Sequence, residues 1–275
     1  MKRYAIRLFY DGRSFHGFQK QKSAPTVEQT LINALRRSSV VSDAEKAVLR
    51  AASRTDAGVS ALDQVVSFYA EEEPKPSRIN AYLPPEVSAW AYAEVSRSFD
   101  PRRSAVWREY VCVYPLRSLN LKAMESAAKL FEGVNNLVAF VRTKRDELMH
   151  ELMEVEVSKL DGLAIMRARS RFFLWEMARR VFNAIILVGR GRLELEKLKA
   201  MLEPGYRGEK IGPIDASLVL LAKVCLGELD SAFLVDRDGL FRIHSYCEKR
   251  VVRDLASYAL WNLSYFLTPA SSAIS

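Results

Sequence analysis

A chain of 275 residues with 49% hydrophobic and 27% charged residues has the balance of a folded globular protein, and only 12 Gly and 10 Pro exclude a collagenous or low-complexity chain. The 41 Lys and Arg against 33 Asp and Glu leave a formal charge of +8, which fits RNA, DNA or an anionic membrane as partner and equally a solvated basic surface. Cys112, Cys225 and Cys247 form no C-x-x-C pair and fit a reducing cytosol, and His16, His150 and His244 lack the spacing of a zinc site. The opening MKRYAIRLFY is too short and too charged for a signal peptide, and the apolar run Leu255 to Leu267 is too short to span a bilayer. The expectation is a cytoplasmic protein free of the membrane.

Alternation of Tyr4, Ile6, Leu8 and Tyr10 with Ala5, Arg7 and Phe9 predicts a strand that Asp11-Gly12 ends. Val27, Leu31, Ala34 and Leu35 at helical spacing predict a helix, with Thr26 and Gln29 reading as a capping box. Val48 to Ser53 and Gln64 to Ala70 read as strands around the turn Arg54 to Ser60; a short helix Ser77 to Leu83 and a strand Ser88 to Val95 follow. That order, β-α-β-β-α-β, is the ferredoxin-like arrangement. The second half repeats it: a strand Trp107 to Tyr114, a helix Leu121 to Phe131 capped by Asn120, strands Glu151 to Lys159 and Leu163 to Ser170 around a type I′ turn at Asp161-Gly162, helices Leu174 to Val188 and Glu194 to Leu202, and a strand Leu218 to Val224. The expected fold is therefore α+β, two ferredoxin-like halves with antiparallel sheets. Ser98, Asp100 and Pro101 break the periodicity, dividing residues 1–98 from 99–275. Beyond Val224 a hairpin at Asp238-Gly239 and an amphipathic helix Glu248 to Leu267 stand outside the repeat, placed to cover a sheet edge or meet a partner.

Asp56 in the turn Ser53-Arg54-Thr55-Asp56-Ala57-Gly58-Val59 has backbone amides and Arg54 close in sequence. Such neighbours hold a carboxylate ionised by lowering its pKa, which suits a nucleophile or base. The alternative is an Asp that caps its own turn while Gly58 supplies a positive φ.

The string AASRTDAGVSALDQVVSF resembles the signature of the tRNA pseudouridine synthase A family, roughly G/S-R-T-D-x-G-V-H/S followed by Q/N-V-V. Tyr10-Asp11-Gly12 and Gly17-Phe18-Gln19 with Gln21 match its Y-D-G and G-W/F-Q-x-Q, and Thr26-Val27-Glu28 the start of its first helix. Phe99, Arg102, Ala105, Arg108 and Tyr110 match its F-x-x-R-x-x-A-x-x-R-x-Y. Phe173-Leu174 with Met177 and Arg179 resembles its F-L-x-x-M-V-R, and Pro213, Leu218 and Val224 its closing pattern. Ser60 stands where bacterial members often have His, Glu176, Ala178, Asn135, Leu137 and Asn183 depart from the family pattern, and Ser60 with the added C-terminal segment is closer to archaeal-type or eukaryotic-type members.

The resemblance implies the pseudouridine synthase fold with its active-site cleft between the halves, and isomerisation of uridine to pseudouridine without cofactor or metal. The implied substrate is the anticodon stem-loop of tRNA at positions 38 to 40, with no DNA partner, and the implied assembly a homodimer. Asp56 aligns with the catalytic aspartate, Tyr110 with the active-site tyrosine, Arg179 with the basic partner of the aspartate, and Arg54 with an arginine that assists nucleotide flipping. Gln19, Gln21, Arg102 and Arg108 fall in motifs assigned to tRNA contact. Each has a plainer reading. Tyr110 on a strand suits packing, Glu176 is spaced to pair with Arg179 or Arg180 on a helix surface, and Arg54 suits a local salt bridge. The basic clusters, Lys20 and Lys22, Arg102, Arg103 and Arg108, Arg142 to Arg145, and Arg167, Arg169 and Arg171, meet either water or phosphate. The rival functions are the same chemistry at another tRNA or small-RNA uridine, and a non-catalytic RNA-binding module.

Overall fold

Strand β1 (Lys2–Tyr10) pairs antiparallel with β3 (Ser60–Ala70) on one side and β4 (Val87–Val95) on the other, in a computed structural model that describes residues 1–43 and 45–264. Its alternation is real, yet all of it beyond Lys2 is buried. Tyr4, Ile6, Leu8 and Tyr10 join the hydrophobic core. On the other face Arg7 is held by Asp63 and Asp230, with Phe233 and Trp90 under its guanidinium. Helix α1 (Val27–Arg37) begins as its sequence requires, Thr26 Oγ1 accepting the Gln29 amide at 3.4 Å, and it buries Val27, Leu31, Ala34 and Leu35. Gln29 turns to Asn33, so the reciprocal half of the capping box is not formed.

The strand expected over Val48 to Ser53 is reduced to β2 (Arg50–Ala51), because Val48 lies at φ 44, outside extended geometry. Helix α2 (Pro76–Asn80) leads to β4, and α3 (Pro101–Ser104) leads to β5 (Trp107–Pro115), followed by α4 (Leu121–Leu130), whose cap Asn120 accepts the Ala123 amide at 3.1 Å. The strand expected from Glu151 to Lys159 is broken in two. Strand β7 (Met149–Leu152) pairs with β6 (Gly133–Asn136) in a separate ribbon, and β8 (Glu154–Leu160) pairs with β9 (Leu163–Ser170). Asp161 and Gly162 both take positive φ, 46 and 78, as a type I′ turn demands. Helix α5 (Met177–Gly189) starts three residues later than its periodicity indicates, since Glu176 lies at φ 60; α6 (Leu195–Leu202) follows.

Strand β10 (Val219–Cys225) joins the halves. It runs antiparallel to β5 and parallel to the start of β3, giving, with β11 (Leu234–Val235) at one end, the order β11-β4-β1-β3-β10-β5-β9-β8 in one sheet that β2 joins at β3. Both β4-β1-β3-β2 and β10-β5-β9-β8 have the strand order of a ferredoxin-like unit, so the α+β expectation holds within each half and the parallel join is added by the tertiary structure. Strands β2 and β10 share one edge of β3: Ala51 faces Val66, and Leu221 faces Ala61. The turn carrying Asp56 fills the space between them.

The hairpin expected at Asp238-Gly239 is not formed. Strand β11 (Leu234–Val235) pairs with the edge strand β4, and α7 (Arg237–Ser264) starts at once. Asp236 Oδ1 accepts the Gly239 amide at 2.6 Å, a helix cap in place of a turn. Gly239 answers to crowding, since a Cβ there would stand 2.4 Å from the Ala89 carbonyl oxygen. Of the helix expected from Glu248 to Leu267, the part to Ser264 belongs to α7 and residues 265–267 lie outside the described residues. The segment therefore does cover a sheet edge.

Candidate active site

The turn between β2 and β3 is held from below by a buried polar set. Gln64, a polar residue in an apolar strand, accepts the Ser53 amide at 3.1 Å and donates to the Ser53 carbonyl at 2.8 Å and the Tyr10 hydroxyl at 3.3 Å. Tyr10 Oη meets Thr55 Oγ1 at 2.7 Å, and the Phe18 amide donates to the Thr55 carbonyl at 3.1 Å. Buried polar groups so fully paired fix a single arrangement. Gly17 lets the Gly17-Phe18 loop approach, because a Cβ there would lie 3.1 Å from the Thr55 carbonyl oxygen and 3.2 Å from the Ala57 amide. Gly58 supplies the positive φ, 86, that the turn calls for.

Asp56 Oδ2 accepts a hydrogen bond from Arg179 Nη1 at 3.2 Å, both side chains being mostly buried. Arg179 is fixed in turn by its Nε, which donates to the Ile214 carbonyl at 2.9 Å. Its neighbour Arg180 goes to Glu176 and the Ile211 carbonyl, so the two arginines of α5 divide as family position and helix spacing respectively indicate. The pKa of Asp56 runs against the expectation from its neighbours. Burial raises it above the ordinary aspartate value, and the hydrogen bond and charge of Arg179 offset that only in part; Glu176 adds a further rise and Arg142 a fall. Arg54, expected to lower it, is exposed and is not among the main causes of the shift.

Tyr110 on β5 is buried, its hydroxyl 2.7 Å from Ser53 Oγ and its ring edge-to-face with Phe173 at a centroid distance of 4.8 Å. Burial, opposed by the hydrogen bond with Ser53 and aided by the charge of Asp56, pushes its phenol up to about 12, so the hydroxyl stays protonated at neutral pH. Asp56, Arg179 and Tyr110 thus converge from the β2–β3 turn, α5 and β5.

The other sequence-predicted residues scatter. Arg54 and Gln19 are exposed and have no hydrogen-bond or ion-pair partner among the described residues; exposed Gln21 donates to the His16 carbonyl at 2.7 Å. Arg102 is exposed at the start of α3. Arg108 does not present its guanidinium to solvent. It is 2% exposed and donates to the carbonyls of Ala52, Arg102 and Arg171, clamping the base of the Asp56 turn. The stack of Arg167, Arg169 and Arg171 is also relieved from within: Arg169 pairs with Glu109 at 2.7 Å and with Glu154, and Arg171 lies beyond the end of β9. Sequence reasoning passed over Ser53, Thr55 and Phe173 as parts of the site, although all three stand inside the quoted motifs. The usable signal was a row of small polar residues and a Gln between apolar strands.

Among the described residues no group of three His, Cys, Asp or Glu side chains is placed to hold a metal ion, and no helix is long and apolar enough to cross a membrane.

Residues 127–224 match a family model described as tRNA pseudouridine synthase. The chain is 32% identical to tRNA pseudouridine synthase A of Archaeoglobus fulgidus over 96% of its own length and 97% of the relative's. It is 33% identical to the protein of that name from Pyrococcus horikoshii over 94% and 98%, and 38% identical to that from Thermococcus kodakarensis over 76% and 79%. Among solved structures it is similar to a chain in the crystal structure of the archaeal box H/ACA sRNP Nop10-Cbf5 complex, at a TM-score of 0.33 and 12% identity, over 66% of this chain and 45% of that one.

Proposed function

This chain belongs to the tRNA pseudouridine synthase A family, and from that premise we propose that it isomerises uridine to pseudouridine in the anticodon arm of tRNA, at one or more of positions 38 to 40, with Asp56 as the catalytic carboxylate. The observation that carries the reading is the mostly buried Asp56 carboxylate held by Arg179 beside the buried Tyr110 hydroxyl, on a turn locked by Gln64 and Tyr10.

The reaction breaks the ribose C1′–N1 bond and forms C1′–C5; one proton leaves C5 and one arrives at N1, so atoms balance and no electrons are exchanged with a redox partner. Positive charge develops on the ribose as the first bond breaks, and a desolvated carboxylate stabilises it more strongly than one in water. Arg179 orients that carboxylate and favours its charged form. Tyr110, protonated at neutral pH, would bound the uracil while it turns and relay the proton, a role its contact with Ser53 supports. Exposed Arg54 would occupy the space left by the flipped nucleotide, and Gln19, Gln21 and Arg102 would meet the RNA backbone. Arg108 serves as the clamp of the turn. This chemistry calls on no cofactor.

We read residues 1–98 and 99–275 as its two domains, each built on a ferredoxin-like unit and the second extended by β11 and α7, which pack back on β4 of the first, and the enzyme as a cytoplasmic homodimer. Exposed Leu234, Val235, Phe241 and Val251 on β11 and α7 supply apolar surface for a second copy.

Incubating wild type and Asp56→Asn with an unmodified tRNA transcript, then mapping pseudouridine by chemical labelling and primer extension, tests the reading. Anticodon-arm stops that vanish in Asp56→Asn, with tRNA binding retained, are expected. Stops elsewhere would move the substrate site, and tight binding with no stops in wild type would leave a binding module.

A further inference from the structure

The connection from β9 to α5, residues 171–176, sends its aromatic side chains two ways. Phe173 turns inward onto Tyr110, whereas Phe172 and Trp175 are 47% and 56% exposed. Large rings left in water are informative when they are held still, and both of these are. The Trp175 carbonyl accepts the Arg142 amide at 3.1 Å, and the Arg142 guanidinium lies 4.1 Å from the Trp175 ring centroid. Phe172 stands edge-to-face with His150 at 4.6 Å, and His150 Nε2 is 3.0 Å from Ser170 Oγ. The same run of chain reaches the reactive carboxylate: Arg142 is 3.8 Å from Glu176, Glu176 grips Arg180, and the adjacent Arg179 binds Asp56. Exposed Arg171 adds a second cation at the near end of the segment.

We propose that Trp175, backed by Arg142 and flanked by Phe172, is a stacking shelf for an unpaired RNA base next to the target uridine. This rests on the reading of the site as acting on RNA. Withdrawing a uridine from its stack strips its neighbours of a stacking face, and an indole fixed in place replaces that face without regard to base identity. The Arg142 guanidinium beneath the ring supplies a cation for the adjoining phosphate in a chain whose net charge of +8 already favours RNA.

The test measures tRNA-transcript binding and single-turnover pseudouridine formation for Trp175→Ala, Trp175→Phe and Arg142→Gln, with thermal melting to establish that each variant is folded. Loss of one base stack predicts that Trp175→Ala weakens tRNA binding roughly 5- to 100-fold and raises KM in step, with a smaller change in kcat. Trp175→Phe recovers most of the affinity because a planar face suffices. The salt dependence separates ring from charge: Trp175→Ala keeps the wild-type slope, and Arg142→Gln lowers it by about one phosphate contact. Wild-type affinity in Trp175→Ala, or no recovery in Trp175→Phe, overturns the shelf. A wild type that binds tRNA through Trp175 but forms no pseudouridine would sink the proposed activity and leave the shelf standing; an active wild type indifferent to Trp175→Ala would do the reverse.

Discussion

Asp56 carries two opposing effects, and their balance sets what should be measured. Desolvation raises its pKa and Arg179 lowers it, with desolvation the larger. A carboxylate that must be ionised to act therefore gives an acid limb of kcat/KM above the ordinary aspartate value of about 3.9, and Arg179→Gln should move the limb of the residual activity further up. A limb at or below that value, or a downward move in Arg179→Gln, would contradict the site's electrostatics. The sign for stability follows the same shift. A folded-state pKa above the unfolded one means that the contribution of Asp56 is present below the unfolded pKa and lost as pH rises through the folded one. At neutral pH its charge is thus held against stability, and Asp56→Asn is expected to melt no lower than wild type.

Arginines make the same point about environment. Arg7, Arg108, Arg169 and Arg179 look alike in a string, yet Arg7 neutralises buried Asp63, Arg108 saturates backbone carbonyls, Arg169 meets Glu109 and Glu154, and Arg179 meets the Asp56 carboxylate. No local pattern distinguishes them, because apart from the Arg102 carbonyl on Arg108 the partners named are distant in sequence.

At the scale of elements, the legible features were those whose cause is local. Thr26 caps α1, Asn120 caps α4, and Asp161-Gly162 turns β8 into β9 because caps and tight turns are settled within a few residues. Asp238-Gly239 carried the same turn signal and became the first turn of α7, since Asp236 caps that helix and Gly239 is required where α7 crosses the Ala89 carbonyl. The consequence is testable in Gly239→Ala. A Cβ 2.4 Å from a backbone oxygen forces α7 off β4, with an expected loss of about 1 to 3 kcal/mol in urea unfolding and earlier proteolysis of α7. Because Tyr246 on α7 donates to Asp11 at 2.7 Å, beside the Gly12 amide that binds Ser60 at 3.0 Å, activity should fall with α7 docking. A Gly239→Ala protein with wild-type stability would show that the crowding is relieved at no cost.

For the whole molecule, the +8 charge acts through exposed cations that no carboxylate holds closely. An RNA contact of 6 to 10 phosphates predicts a loss of roughly 10³ to 10⁵ in tRNA affinity between about 50 and 200 mM salt. Arg169→Gln should leave that dependence unchanged, since its guanidinium is already neutralised by Glu109 and Glu154. A shallower slope in Arg169→Gln would mean that RNA displaces both carboxylates.

By itself the amino-acid sequence determined the repeat of strand and helix patterns, the caps and turns, and the motif around Asp56 that points to this family. Each is written in short stretches of chain and needs only local backbone geometry or a contiguous string to be read. The tertiary structure alone decided that β10 joins the halves by running parallel to β3, that the Asp56 turn sits in the gap this leaves beside β2, that Tyr110, Arg179 and Gln64 converge there, and that burial outweighs charge in setting the Asp56 pKa. Pairing, burial and the choice among arginines depend on which distant residues exclude water from one another, and only the folded chain specifies that.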